Sequence, residues 1–495
     1  MINRLLLIIS LLALIMALIM ALPVSGQETY EDWLNKETVK YADFQSKEDQ
    51  EFSEFLKAEW ENLEAFKELI YDETPKLPSV PIYSPSSRKD SRFSQSKSDT
   101  KSRPEKLKQK LNNKSSSLRV ARPEKLVDRK SFSFEFLDVQ LSLDIDRSTL
   151  FNIKGSIDQR FINRFWEKIT KTQYEALLAQ LFAYRDKMGL SDWGYGNLLH
   201  QVGQEIYGVD ENYINLFTWF ILLKSGYDAR VGHTNNQVVL LLPSQDILYG
   251  TTYFMFDGGS RKYYILTFSK VPVYEQTSVS VYEGNYAGSQ MPLDFSLRKL
   301  PTIDSELIEK ELNFKYHDQE YSVPILINTS IVNLYRHHPQ TGMPLYFSAS
   351  VSPQIDAKLR KSLKVLLKGK SEEEATNLLL RFVQTAFDYQ TDDEQFGREK
   401  CLIPGEAMFY GYNDCEDRSV LFAYLVRELQ GLSVIGLDYP GHIATAVQFS
   451  KPGRGDIIPF EGKRYMVCDP TYINADVGMT MPQFKNVSPT VIQSP

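Results

Sequence analysis

Three short stretches near the C-terminus constrain the fold most: Asn413-Asp414-Cys415-Glu416-Asp417-Arg418-Ser419, Tyr439-Pro440-Gly441-His442, and Val467-Cys468-Asp469-Pro470-Thr471-Tyr472. Asp414 precedes an apolar helical pattern (Val420, Leu421, Tyr424, Leu425) and has Asp417 three residues on, the mark of an N-cap. His442 follows a Pro-Gly turn and heads the apolar run His-Ile-Ala-Thr-Ala-Val. Asp469 ends a strand at Pro470, which cannot continue a β-ladder. The steps from Cys415 to His442 and from His442 to Asp469 are 27 residues each. Such spacing suits helix–strand–turn–strand and then loop–strand. All three residues then meet at one edge of an antiparallel sheet packed against a helix.

The same framework recurs earlier in the chain. An offset of 205 places Cys415 over Asp210, Leu421-Phe422 over Leu216-Phe217, Gly431 over Gly226, and His442 over Gln237. After a shift to 202, Lys463-Arg464-Tyr465 meets Arg261-Lys262-Tyr263, and Asp469 meets Thr267. Helix–Gly–strand is a common unit, so chance agreement is the competing explanation. If the repeat is real, Asp210, Gln237 and Thr267 cannot form a thiol–imidazole pair, and the first copy serves as scaffold or binding surface.

A cysteine at the first helical position, a histidine opening a strand and an aspartate at a strand's end supply a nucleophile, its general base and the base's orienting carboxylate. Exposed amides and the helix dipole at that position favour thiolate and should lower the Cys415 pKa. Glu416 and Asp417 oppose this by charge, and Arg418 partly offsets them. The Cys415 amide is a candidate oxyanion donor, with Asn413 or Tyr412 as a second. A lone cysteine at a helix start is more often a small buried residue; the case rests on His442 and Asp469 together. Of six histidines only His442 follows Cys415. His337-His338 read as turn residues rather than metal ligands, and no cofactor or metal site is expected.

The segment from about 350 to 482 resembles the transglutaminase-like superfamily, whose papain-like arrangement has a helix-borne Cys with strand-borne His and Asp. The resemblance rests on Phe387-Asp388-Tyr389 before the site, Cys415 with the helix Ser419–Leu429, Gly431, His442 and Asp469-Pro470. It implies Cys415 as nucleophile, His442 as general base and acid, and Asp469 as orienter. The Cys-Glu-Asp-Arg-Ser wording resembles that of bacterial exported members. No tryptophan occurs in the second copy and no Ca²⁺ loop is evident, which argues against animal-type, calcium-driven crosslinking.

The rest of the chain sets the context. Residues 1–26 read as a secretory signal peptide, with an apolar run from Leu5 to Leu22 and small residues Val24 and Gly26 before Gln27. An uncleaved anchor is the alternative, and either way the protein acts outside the cytoplasm, in the periplasm or secreted. Three cysteines, Cys401, Cys415 and Cys468, make no disulfide framework, though Cys401 and Cys468 could pair. Residues 27–71 form a charged amphipathic helix in which Trp33, Phe44, Phe55 and Phe66 recur every eleven residues, as do Tyr30, Tyr41, Phe52 and Leu63. That stripe packs on the protein's own body or on a protein partner. Residues 72–125 carry fourteen basic and six acidic residues with many prolines and serines, and read as a disordered basic linker. The net charge of −7 argues against nucleic-acid binding, and no membrane span is expected after signal cleavage.

The expected fold class is therefore α+β. Residues 126–275 form an α+β domain that is the inactive copy, 276–350 a small β-rich domain, and 351–495 a transglutaminase-like domain with the Cys-His-Asp triad. The expected function is an exported Cys-dependent acyl-transfer enzyme that hydrolyses peptide or amide bonds of a protein or peptide substrate. A crosslinking transamidase, which shares the thioester, and a non-catalytic binding or scaffold protein are the alternatives.

Overall fold

The computed structural model describes residues 30–58, 60–64, 72, 116–120, 128–234, 236–256, 261–269, 278–282 and 284–494. The signal segment 1–26 and most of the linker 72–125 lie outside these. The chain divides into two compact units, residues 1–54 and 55–495. Among the described residues no helix is long and apolar enough to cross a membrane. The molecule combines helices with antiparallel sheets, as the α+β reading required.

The N-terminal helix is shorter than its aromatic period predicts. It runs Tyr30–Lys57, and the chain then forms strand β1, Glu61–Glu64. The Trp60 indole nitrogen donates to the Leu56 carbonyl at 3.3 Å and satisfies one of the carbonyls left open at the helix end. Leu63, expected on the helical stripe, instead pairs with Val279. Phe44 and Phe55 are exposed whereas Phe52 is buried, so the two eleven-residue series do not share one covered face. Sheet pairing has outweighed local helical periodicity here.

In the larger unit, β2 (Ser116–Leu118), β3 (Arg129–Phe136) and β4 (Val139–Asp146) form a three-stranded sheet in the order β2-β4-β3. Four helices follow, ending with Asp192–Tyr207 and Glu211–Lys224. Next come β5 (Arg230–Thr234), β6 (Gln237–Pro243), β7 (Tyr253–Phe254), β8 (Tyr263–Leu266) and β9 (Ser278–Val281). Their sheet has the order β1-β9-β5-β6-β8-β7.

Strands β10 (Leu307–Tyr316) and β11 (Gln319–Asn328) pair in register as a long hairpin. The hairpin corrects the expectation of a separate β domain over 276–350. Its inward face (Leu312, Phe314, Val323, Ile325, Ile327) belongs to the same apolar core as the helices Pro353–Leu367, Glu372–Thr385 and Cys415–Gln430. A two-stranded ribbon cannot bury its apolar face by itself, and these helices cover it. At the other end of that segment, β9 joins the preceding sheet. The stretch around Leu345, inside the span expected to be β-rich, is the short helix Met343–Phe347, with Pro344 in its first turn. Alternation over so few residues does not separate strand from helix.

Strands β12 (Ser433–Tyr439), β13 (His442–Gln448), β14 (Ile457–Phe460), β15 (Lys463–Cys468) and β16 (Thr490–Ile492) complete the chain, in the sheet order β14-β15-β13-β12-β16. This matches β7-β8-β6-β5-β9 strand for strand, with every pair antiparallel. The register agrees at the positions that matter. Tyr439 pairs with His442 as Thr234 pairs with Gln237, and Thr445 pairs with Cys468 as Leu240 pairs with Leu266.

Candidate active site

Asp414 caps the Cys415–Gln430 helix by a reciprocal box: its carboxylate accepts the Asp417 amide, and the Asp417 carboxylate accepts the Asp414 amide. Gly431 closes the helix in the left-handed region (φ 69°). Cys415 is thus the first helical residue, where an amide has no intrahelical acceptor. The helix start is seated on the head of β13. Ser419 Oγ donates to the Ile443 carbonyl at 3.0 Å, and the Ile443 amide donates to the Cys415 sulfur.

His442 and Asp469 meet directly. His442 Nε2 lies 2.9 Å from Asp469 Oδ2, and both side chains are buried. The other carboxylate oxygen accepts the amides of Thr471 (2.9 Å) and Tyr472 (3.1 Å), which hold it in place. A carboxylate only accepts, so the imidazole proton sits on Nε2 and Nδ1 is the basic nitrogen. The Phe484 ring stacks on the imidazole, 5.3 Å between centroids and 3° from parallel. Orientation, tautomer and shielding of the imidazole are therefore built in.

The thiol departs from expectation. Cys415 is 7% exposed, and its sulfur donates to Glu416 Oε2 at 2.9 Å. Burial, with the charges of Glu416 and Asp414, pushes the thiol well above its ordinary value rather than below it. Desolvation and two carboxylates outweigh the helix dipole. Arg418, expected to offset them, turns inward and donates to the carbonyls of Gln384 (3.3 Å) and Phe387 (2.9 Å).

Of the three candidate oxyanion donors, the Cys415 amide lies in the first turn of its helix, without an intrahelical acceptor. Asn413 is fully buried, its amide donating to the Asp388 carbonyl (3.0 Å) and its Nδ2 to the Ala407 carbonyl (3.1 Å), so its amide and one of its two Nδ2 hydrogens are already engaged. Tyr412 is exposed and forms a parallel bridge with Asp388.

Several residues escaped sequence reasoning. Gln384, buried on the Glu372–Thr385 helix, donates to the carbonyls of Asp469, Tyr472 and Ala475 and accepts the Asn474 amide. It fastens the loop that carries Asp469, and no local pattern marks it. Asp392, Asp414 and Asp417 are buried with carboxylate oxygens within 4.8 Å of one another, as are those of Asp392, Glu399 and Glu416. These are the groupings close enough to hold a cation among the described residues. Burial and mutual repulsion push Asp392 up to about 9 and Asp417 to about 8. Lys400, beside them, is paired with Glu406 at 2.9 Å. His338 is buried among the rings of Trp193, Phe295 and Tyr335, and burial lowers it to about 3, as a core histidine rather than a ligand. Cys401 and Cys468 are buried free thiols, unpaired with each other.

The earlier copy follows the same frame with different occupants. Gln237 heads β6 and Thr267 follows β8, as expected. Thr267 Oγ1 accepts the Ser269 amide at 3.0 Å, as Asp469 Oδ1 accepts that of Thr471. Asp210, however, plays the part of Asp414 rather than Cys415: it is the N-cap of Glu211–Lys224. The thiol's contact with the strand is taken by Asn212, whose Oδ1 accepts the Val238 amide at 2.8 Å. The reason is the connection. Gly208-Val209 leads directly into this cap, whereas residues 386–413 precede Asp414. Glu211 in turn holds His200 Nε2 at 3.0 Å and Ser269 Oγ at 3.2 Å.

No protein-family model matches the chain, and none of the curated proteins matches it.

Proposed function

We propose that the protein is an exported, transglutaminase-like cysteine enzyme of the acyl-transfer class that hydrolyses peptide or amide bonds through a thioester. The observation that carries this reading is the buried His442–Asp469 bond at 2.9 Å, beside a helix whose first residue is Cys415. The Cys415 sulfur attacks the substrate carbonyl carbon as the thiol proton passes to His442 Nδ1. The carbonyl electron pair moves to oxygen, collapse expels the amine, and the amine takes the proton from His442. Water then adds to the thioester by the same route, releasing a carboxylic acid and restoring the thiol. An amine in place of water gives transamidation. The matching sheet orders support a duplicated framework whose first copy lacks a thiol and an imidazole at the corresponding places.

A non-catalytic scaffold is the second reading, favoured by the burial of Cys415 and its bond to Glu416. Iodoacetamide labelling read by peptide mass separates the two. Cys415 should react faster than Cys401 and Cys468, and His442→Ala should abolish the difference. Equal slow labelling of all three thiols would favour the scaffold.

A further inference from the structure

We propose that Tyr389 is a catalytic residue whose phenolic hydroxyl donates to the oxyanion formed when Cys415 attacks a carbonyl, completing a hole begun by the Cys415 amide. The inference rests on the acyl-transfer reading above and adds a donor that the candidates Asn413 and Tyr412 do not supply.

The backbone brings Tyr389 to the site. Asp388 donates its amide to the Gly411 carbonyl and accepts the Asn413 amide, both at 3.0 Å, so Tyr389 is set alongside the residues that lead into Cys415. The ring is then fixed from one side. The Arg418 guanidinium lies 5.6 Å from its centroid and is itself pinned by the Gln384 and Phe387 carbonyls. Cys415, then Asp414 and Glu416, are the acidic groups whose ionised forms act on the phenol. The Tyr389 hydroxyl makes no hydrogen bond among the described residues, although the side chain is half-buried. A phenol packed on the first turn of the Cys415 helix through Arg418, with its donor unspent, is matched to charge that appears only during reaction. Burial and the neighbouring anions also raise its pKa, so it stays a proton donor throughout the neutral range.

In the step itself the sulfur–carbon bond forms, the carbonyl electron pair moves to oxygen and the thiol proton goes to His442. Tyr389 shares its proton in a hydrogen bond and keeps it when the tetrahedral species collapses.

The test compares two reactions at one sulfur. Acylation by p-nitrophenyl acetate passes through an oxyanion and releases p-nitrophenolate; alkylation by iodoacetamide displaces iodide and forms none. In Tyr389→Phe, acylation should fall by about 100-fold while alkylation of Cys415 stays within about twofold of wild type. An equal loss in both reactions, or no loss in either, overturns the proposal. Cys415→Ser is the control for the underlying reading: if its p-nitrophenolate burst equals that of wild type, the acyl-transfer assignment fails and this proposal falls with it. The thermal midpoint of Tyr389→Phe should match wild type, since the hydroxyl it removes has no protein partner.

Discussion

Opposing influences act on the Cys415 sulfur. The helix start and the Ile443 amide favour the anion; burial and the Glu416 and Asp414 carboxylates oppose it and prevail. On the proposed acyl-transfer function, a thiol of raised pKa needs its proton removed during attack, which would give the oriented His442 a larger part than in a preformed thiolate–imidazolium pair. Glu416→Gln should therefore move the pH midpoint of Cys415 alkylation to lower pH and speed labelling at neutral pH. An unchanged midpoint would show that burial alone sets the thiol. The direction of this effect was not legible in the sequence. Asp414, Glu416 and Asp417 are visible there as charges, but the inward turn of Arg418 depends on the carbonyls of Gln384 and Phe387, about thirty residues away in the chain.

Among the elements, those with strong local punctuation follow the sequence. The Cys415 helix has its cap and its left-handed glycine, and β13 has its Pro-Gly turn. The elements that departed were decided by partners: the N-terminal helix stops where β1 pairs with β9, and the β10–β11 hairpin belongs to the C-terminal core. The loop after β15 is held by Gln384, together with Asn377 and Arg381 on the same side of the Glu372–Thr385 helix. Gln384→Ala should cost about 3 kcal/mol, because it leaves three buried carbonyls without their donor. It should also slow Cys415 acylation, because Asp469 begins that loop. Urea unfolding and the p-nitrophenolate burst measure the two effects. A stable variant with wild-type burst would remove Gln384 from the positioning scheme.

For the molecule as a whole, the buried acids Asp392, Asp414 and Asp417 link stability to pH in the sense opposite to ordinary paired carboxylates. Their folded pKa values lie above the unfolded value of about 3.9, at about 9 for Asp392 and about 8 for Asp417. The folded state then binds more protons than the unfolded one, so their contribution is complete below the unfolded value and is lost as pH rises through the folded values. Asp392→Asn, which keeps the shape without the charge, should lose less stability than wild type between pH 5 and pH 9 (roughly the window those values define). Thermal midpoints across that range would show it, and parallel curves would mean that a cation or another group neutralises the cluster.

By itself the sequence determined where Cys415, His442 and Asp469 sit on their elements, because caps, turns and strand breakers act within a few residues. It also carried the order of elements that the two sheets share. Only the tertiary structure decided that His442 Nε2 is bound to Asp469 while Nδ1 is left basic, that burial and its neighbours raise the thiol pKa, that Asp210 caps rather than replaces Cys415, and that the Tyr389 ring lies against Arg418. Desolvation and hydrogen-bond direction depend on groups that the chain brings together from far apart, and no local pattern encodes them.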